Sequence, residues 1–486
     1  MYIYHEAEIR SADETANKNG LSLNALMETS GRSIYFQLKK LLKKEAKILI
    51  LAGKGNNGGD GVVLARYLKQ NDYSVDLVFP FGEPKTTVAF EHYRFYQSCH
   101  GNCKTFDFQK KQYDVIVDSV LGVGTRLPLR HEYRTLIEWC NSQSALKIAI
   151  DMPTGVLADS GETNVAFQAN YTFCLHGFKP SAFLLPSAHY YGNPILVDIG
   201  LPQHGKWKIW SQADLQRTLL RRNKFAHKGT FGTGLLIAGS DEMPGSAALS
   251  SLGALKSGIG KLMIGTTKFV SSIISPQVPE ATFWFNGLEK VANGELLTTI
   301  DAVAIGPGIV DKDLVEKALK YLLNQHFPLI VDAGALIEGI KGKGNAPVII
   351  TPHPGEFSRL IGKTVEEIQA NRLKFASNYA KENNIIVVLK GTYTVIAFPD
   401  GTCFVNPTGN SGLAKGGSGD TLTGIILAMV AKAVDIPSAI LNAVYLHGLC
   451  AEQLSITQGE QTIVASELTT VLGSIIKKTS NHECLP

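Results

Sequence analysis

Apolar residues along this chain come in short bursts rather than at helical spacing. Four to seven aliphatic or β-branched residues run together, stop at a turn containing Gly or Asp, and give way to a segment of helix length. In the first half the bursts lie in KILILAGKGNNGGDG (47–61), SVDLVFP (74–80), YDVIVDSVLGVG (113–124), LKIAIDMPTG (146–155), YTFCLHG (171–177) and PILVDIG (194–200). Such alternation predicts βα units and a mostly parallel sheet. Two stretches ahead of the first burst, 6–20 and 22–44, predict helices. Around residues 201 to 222 the rhythm breaks, and this stretch holds two of the four tryptophans, so a domain junction is expected there. It then restarts with GTGLLIAGS (232–240), KLMIGTT (261–267), DAVAIGPG (301–308), PLIVDAGAL (328–336), PVIITPHPGE (347–356) and NIIVVLKGTYTVIAFPDGTCFV (384–405). The last of these predicts a hairpin, with Asp400-Gly401 as a type I′ turn. The two halves share no repeated motif. The expected class is α/β throughout, with domains at residues 1–215 and 223–486.

Composition narrows the picture. A chain of 486 residues exceeds the size at which single cores stop growing, which favours two domains. Its 44% apolar and 19% charged residues are ordinary for a globular protein, and a net charge of +4 is small for this length. No clustered basic face for nucleic acid is expected; KKLLKK (39–44) and LLRRNK (219–224) read as solvated helix faces. Seven scattered cysteines (99, 103, 140, 174, 403, 450, 484) without CxxC pairs suggest reduced thiols and no structural zinc. The opening MYIYHEAEIR lacks a signal-peptide pattern and no apolar run is long enough to span a bilayer. The expectation is a cytoplasmic protein.

NPTGNSGLAKGGSGDTLTGII (406–426) carries the clearest chemistry. Glycines 416, 417 and 419 remove Cβ atoms so that backbone N–H groups can close on an anion, and the helix expected from residue 420 onward adds partial positive charge at its start. Asp420 is then placed to take a hydroxyl proton while the cradle stabilises a transferring phosphoryl group. The alternative is that Asp420 merely caps the helix.

GGSGDTLTG resembles the anion hole of the ribokinase-like superfamily. Together with GSDEMPGSAALSSLGALKSGIG (239–260), AIGPG (304–308), DAGAL (332–336), TPHPGEF (351–357) and LKGTYT (389–394) it resembles the ADP- or ATP-dependent NAD(P)H-hydrate dehydratases. GNNGGDG (55–61), DSVLGVG (118–124) and DMPTG (151–155) resemble NAD(P)H-hydrate epimerases, so nearly the whole chain is similar to the bifunctional NAD(P)H-hydrate repair enzymes. This implies a Rossmann-like three-layer domain followed by a ribokinase-like domain. It also implies metabolite repair, in which the R and S hydrates of NADH and NADPH are epimerised and the S hydrate is dehydrated with ADP, releasing AMP and phosphate. A homo-oligomer is expected.

In the first domain, the loop of Asn56, Asn57, Gly58, Gly59 and Asp60 should present N–H groups to a pyrophosphate, as should the GVGTRLP loop formed by Gly122, Val123, Gly124, Thr125, Arg126, Leu127 and Pro128. The resemblance puts potassium on Asn57, Asp118 and Thr154. Hydrate C6 is a hemiaminal carbon beside N1, so hydroxide can leave and water re-enter from either face. A carboxylate would steady the cation and orient that water; Asp151 is favoured over Asp60, with Lys179 as a proton partner and a helix or turn cap as the alternative for Asp151. In the second domain the resemblance puts the hydrate against Ala247, Gly308, His353 and Asp420, and the nucleotide against Lys390, Gly391, Thr392, Tyr393, Thr394 and Gly419. Glu356 could help hold magnesium through water. Met243 and Tyr393 depart from the family pattern. Two other readings stay open, namely a ribokinase-like small-molecule kinase fused to a nucleotide-binding regulatory domain, and a non-enzymatic sensor in the first half.

Overall fold

The structure is a computed structural model that describes residues 1–104, 112–431 and 433–481. These fall into two compact units. One comprises Met1–Trp207 with Gln369–Asn371; the other runs from Lys208 through the remaining described residues. Among the described residues no helix is long and apolar enough to cross a membrane. The six described cysteines are free, and Cys484 lies outside the described residues.

The strands of the first unit are β1 (Lys47–Ala52), β2 (Ser74–Val78), β3 (Cys103–Lys104), β4 (Val115–Ser119), β5 (Leu146–Ile150), β6 (Tyr171–Leu175) and β7 (Asn193–Val197). They form a parallel sheet ordered β3-β2-β1-β4-β5-β6-β7. The alternation of side chains along β1 produces three layers. Ile48 and Ile50 join one apolar cluster with Ile34, Leu38, Val62 and Leu64, while Leu49 and Leu51 join another with Leu136 and Cys140 on the opposite face. Strand order reverses between β1 and β4, which opens a crevice at their carboxyl ends. The GKGNNGGDG loop and Asp118 stand at that crevice.

The second unit continues with β8 (Trp207–Ile209), β9 (Thr233–Ile237), β10 (Lys261–Thr266), β11 (Thr282–Phe285), β12 (Ala302–Ile305), β13 (Leu329–Val331), β14 (Val348–Ile350), β15 (Ile386–Leu389), β16 (Thr394–Ala397) and β17 (Cys403–Asn406). Their order is β11-β10-β9-β12-β13-β14-β15-β16-β17-β8, with antiparallel pairing from β15 to β17. Here the reversal falls between β9 and β12. The helices Pro244–Lys256 and Ser418–Val430 pack closely on this sheet because glycines face backbone where they meet. A Cβ on Gly424 would lie 1.8 Å from the Ser250 carbonyl oxygen, and one on Gly253 would lie 2.3 Å from that of Thr421.

Two local expectations need correction. The β16–β17 hairpin forms, but its turn is not type I′, which needs positive φ at both central residues. Among Asp400 and Gly401 only the glycine is positive, at 85°, and Gly401 N donates to Phe398 O at 3.0 Å across Pro399 and Asp400. A proline there fixes negative φ, so the chain makes an ordinary turn followed by a left-handed glycine. The basic groups 39–44 and 219–224 are not helix faces either. The preceding helices end at Leu38 and Thr218, leaving the cations in turns just past the carboxyl ends, where they complement the helix dipole.

Candidate active sites

At the carboxyl ends of β1, β4 and β5 lies a cavity of about 430 Å³. The helix Asn56–Gln70 starts here with Gly55 as its N-cap, so the N–H groups of its first turn have no intrahelical acceptor. Asn56, Asn57, Asp60, Gly122, Val123, Gly124 and Asp151 all line the cavity. Gly58 and Gly59 work differently: a Cβ on Gly58 would lie 2.0 Å from Gly53 O, so it lets the helix start close against its strand, and one on Gly59 would lie 2.5 Å from Met27 Sδ, so it lets the helix pack against the helix Leu23–Leu38. Thr125 Oγ1 donates to Gly122 O at 2.9 Å and folds the loop, and Arg126 reaches the Glu6 carboxylate at 3.3 Å. Thr125, Arg126, Leu127 and Pro128 do not line the cavity.

Asn57, Asp118 and Thr154 come together around Leu121. Asn57 Nδ2 donates to Leu121 O at 2.9 Å, Leu121 N donates to Thr154 Oγ1 at 3.0 Å, and Thr154 donates to Asp118 through both its hydroxyl (2.7 Å) and its N–H (2.8 Å). Burial pushes the Asp118 carboxyl up to about 6 against these bonds and one from Val120 N. Asn57 Oδ1 is buried with no hydrogen-bond partner among the described residues. An orphaned amide oxygen beside a buried carboxylate fits a hard cation, which would satisfy the one and neutralise the other.

Asp151 follows β5 in the left-handed region, at φ 67°. It caps no helix. Its Oδ1 accepts from Leu175 N at 3.1 Å and from the ammonium of Lys179, a fully buried side chain that also donates to Leu175 O and Gly177 O at 3.2 Å. Asp60, buried at the cavity wall, has its carboxyl held well above the usual range, first by desolvation and then by the negative charges of Asp151 and Asp13. Asp13 also lines this cavity; within the amphipathic pattern of 6–20 nothing marks it out from its neighbours, and sequence reading passes over it.

In the second unit the helix Ser418–Val430 begins after Gly417, its N-cap, at φ 89°. Asp420 is therefore not the cap. It sits in the first turn, accepts a hydrogen bond from Ser246, and has its carboxyl raised chiefly by burial, with the Asp332 charge adding to it. The ammonium of Lys390 lies against the same turn, since a Cβ on Gly419 would be 3.2 Å from Nζ. Asp332 holds that ammonium at 2.9 Å through Oδ1, and accepts Thr423 Oγ1 at 2.7 Å through Oδ2. Burial alone would lower the Lys390 pKa; Asp332 and Glu356 bring it above the ordinary value instead. Asp332 and Ser246 are residues that sequence reading passed over, although the Asp at the end of an apolar burst (VDAG) was a usable signal.

Gly308, at φ 68°, brings the β12 loop against the start of the helix Pro244–Lys256; a Cβ there would lie 2.8 Å from that of Ser246. Ala247 is buried in that helix. His353 caps the helix Pro354–Ile361, its Nδ1 accepting from Gly355 N (3.0 Å) and Glu356 N (3.2 Å), while Nε2 of the exposed ring lies 3.4 Å from Glu356 Oε1. Glu356 accepts from His353 N at 2.8 Å, completing the capping box. After β15, buried Arg372 donates to Leu389 O (2.7 Å) and Lys390 O (2.9 Å) and leaves no room for a side chain on Gly391. Thr392 is exposed, Tyr393 half-buried, and Thr394 enters β16. Among the described residues no group of three or more His, Cys, Asp or Glu side chains could hold a metal ion. Magnesium here would rest mainly on nucleotide phosphates, as that ion commonly does.

Residues 234–476 match the family described as NAD(P)H-hydrate dehydratase, and residues 23–181 match the YjeF-related protein N-terminus. The ADP-dependent (S)-NAD(P)H-hydrate dehydratase of Bacillus subtilis is 49% identical over 270 residues, 56% of this chain and 98% of that protein. Its crystal structure, an ADP/ATP-dependent NAD(P)H-hydrate dehydratase co-crystallized with ATP/Mg2+, superposes with a TM-score of 0.55 at 48% identity over 56% of this chain and 98% of its own. A ribokinase-like superfamily protein from Enterococcus faecalis gives a TM-score of 0.50 at 27% identity, covering 57% of this chain and 98% of its own. The bifunctional NAD(P)H-hydrate repair enzyme Nnr of Moorella thermoacetica is 30% identical over 516 residues, 98% of this chain and 97% of that protein. The chain belongs to the family of bifunctional NAD(P)H-hydrate repair enzymes.

Proposed function

We propose that this chain repairs hydrated NADH and NADPH in two steps, epimerising the R and S hydrates in its first domain (residues 1–215) and dehydrating the S hydrate in its second (223–486). The observation that carries this reading is the presence, in one chain, of a lysine-held carboxylate in a cavity and of a carboxylate at a glycine-capped helix start beside a half-buried lysine. Each suits one half of the chemistry. Epimerisation needs a charge that steadies a C6 cation and orients water, which is the part of Asp151. Asn57, Asp118 and Thr154 would hold potassium at the mouth of the first sheet.

Dehydration needs a better leaving group than hydroxide. Phosphorylation of the C6 oxygen provides one, and this accounts for a kinase-type anion hole in a lyase. Asp420 takes the hydroxyl proton, the N–H groups of Gly417, Ser418 and Gly419 meet the transferring phosphoryl, and Lys390 neutralises phosphate charge. Ala247, Gly308 and His353 border the hydrate; Gly391, Thr392, Tyr393 and Thr394 flank the nucleotide. ADP is the favoured donor and magnesium travels with its phosphates. We place the enzyme in the cytoplasm.

The test feeds hydrate labelled with heavy oxygen at C6 to the full chain with ADP and follows NADH, AMP and phosphate. Labelled phosphate formed in step with NADH is expected. Unlabelled phosphate rules out the phosphorylation route, and a stable phosphate ester without NADH would favour a kinase. Potassium is tested by comparing Thr154→Val with the natural chain; the variant should need more potassium for epimer exchange.

A further inference from the structure

None of the roles above uses Asp13. The helix Glu6–Lys18 turns Ile9, Arg10 and Asp13 toward the cavity, so Asp13 reaches it from a different element than Asp60, in the first turns of the helix Asn56–Gln70, and Asp151, at the end of β5. Its half-buried carboxylate makes no hydrogen bond or ion pair among the described residues. Arg10, one turn away, is drawn to Glu6 at 2.8 Å. Three carboxylates thus face one buried ammonium, and Lys179 is already committed to Asp151.

Exchange at C6 needs more than the base assigned to Asp151. Hydroxide leaves readily only if it takes a proton as it goes, and the same group must take one back in the reverse direction. We propose that Asp13 is a catalytic acid and base of epimerisation, acting from the helix wall while Asp151 acts from the strand ends; this rests on reading the first unit as the epimerase. As the C6–O bond breaks, its electron pair stays on oxygen, which takes the Asp13 proton and departs as water, while the N1 lone pair closes a C=N bond. Water then adds to C6 from the other face, returning the C=N electron pair to N1, and gives a proton to the Asp151 carboxylate. Asp60, within electrostatic reach of both, returns the proton from Asp151 to Asp13, so the cycle neither gains nor loses one.

The surroundings suit this work. Desolvation and the Asp151 charge push the Asp13 carboxyl up to about 6, with Lys179 and Arg10 opposing. An acid in that range is still partly protonated near neutrality, where an ordinary aspartate is not. Lys54, Tyr133 and His176 complete the titratable lining of the cavity.

The test measures exchange of a single purified hydrate epimer by the full chain in potassium, from pH 5 to 8, for the natural enzyme, Asp13→Asn and Asp13→Glu, with hydrate binding and dehydration of the preferred epimer measured alongside. Asp13→Asn should exchange at least about a hundredfold more slowly, with hydrate binding and dehydration unchanged. It should also lose the fall in rate that the natural enzyme shows as pH rises past about 6. Asp13→Glu should recover most of the rate. Natural-rate exchange in Asp13→Asn overturns the proposal, as does an unaltered alkaline limb, or a loss that tracks hydrate binding and is not recovered by glutamate. If the natural enzyme itself fails to exchange epimers, the epimerase reading fails instead, and that outcome is separate from the others.

Discussion

Asp151 accepts from Leu175 N and from the buried Lys179 ammonium, whereas Asp420 accepts from Ser246 and has its carboxyl raised by burial and by Asp332. The first is a carboxylate held firmly in place, suited to steadying a cation and orienting the water that attacks it. The second is a stronger base than a free aspartate, suited to taking a proton once phosphate charge has been met by Lys390 and the helix start. Asp420→Asn keeps the shape and the Ser246 contact but removes the base. We expect it to bind hydrate and nucleotide while NADH recovery falls at least about a hundredfold, with phosphate release falling in step. Single-turnover kinetics with separate binding measurements check this, and recovery within tenfold of the natural rate would remove Asp420 from the chemistry.

The elements explain why these side chains can be held so closely. The helices Pro244–Lys256 and Ser418–Val430 meet at Gly253 and Gly424, and that contact sets Ser246 against Asp420. Gly424→Ala would place a methyl 1.8 Å from Ser250 O. The helices must then part, at a cost of about 1–3 kcal/mol for overpacking, and Asp420 must move with them. A lower melting temperature together with slower dehydration but natural epimer exchange is the expected result. The helix Ile436–Ser455 carries a second consequence. Burial lowers the His447 pKa to about 4, below its ordinary 6.5, and its Nε2 has no hydrogen-bond partner among the described residues. Because the unfolded chain binds the proton more readily, this histidine's contribution is fully present above pH 6.5 and is lost as pH falls toward and through 4. The loss is on the order of 3 kcal/mol. His447→Gln should flatten the acid side of the stability profile, measured by denaturant melts between pH 7 and 4.5.

The same scale shows what the sequence made legible. Apolar bursts of five or six residues, such as KILILA and YTFCL, coincide with β1 and β6 because strands buried on both faces need no polar alternation. The edge strands β3, β8 and β11 escaped because they are two to four residues long, carry charged or aromatic residues, and lie where pattern is weakest. Of the site, glycine-rich turns were visible because bare backbone has few other uses at that density. Ser246 and Asp13 were not, and Asp332 stood in view within DAGAL without its role, since each matters through a partner distant in sequence: Asp420, Asp151 and Lys390.

At the scale of the whole molecule, two sheets each reverse strand order, and the candidate site residues of each unit lie largely at the carboxyl ends of its strands. Joining an epimerase to a dehydratase in one chain lets a reagent that arrives as two epimers leave as one product. The measurement that tests this most directly follows an equal mixture of R and S hydrates, with ADP and potassium, in the natural chain and in Asp151→Asn, at times short against spontaneous epimerisation. The natural chain should convert both epimers to NADH, while Asp151→Asn should consume the S epimer at the natural rate and leave the R epimer untouched. Conversion of both epimers by Asp151→Asn at the natural rate would contradict this.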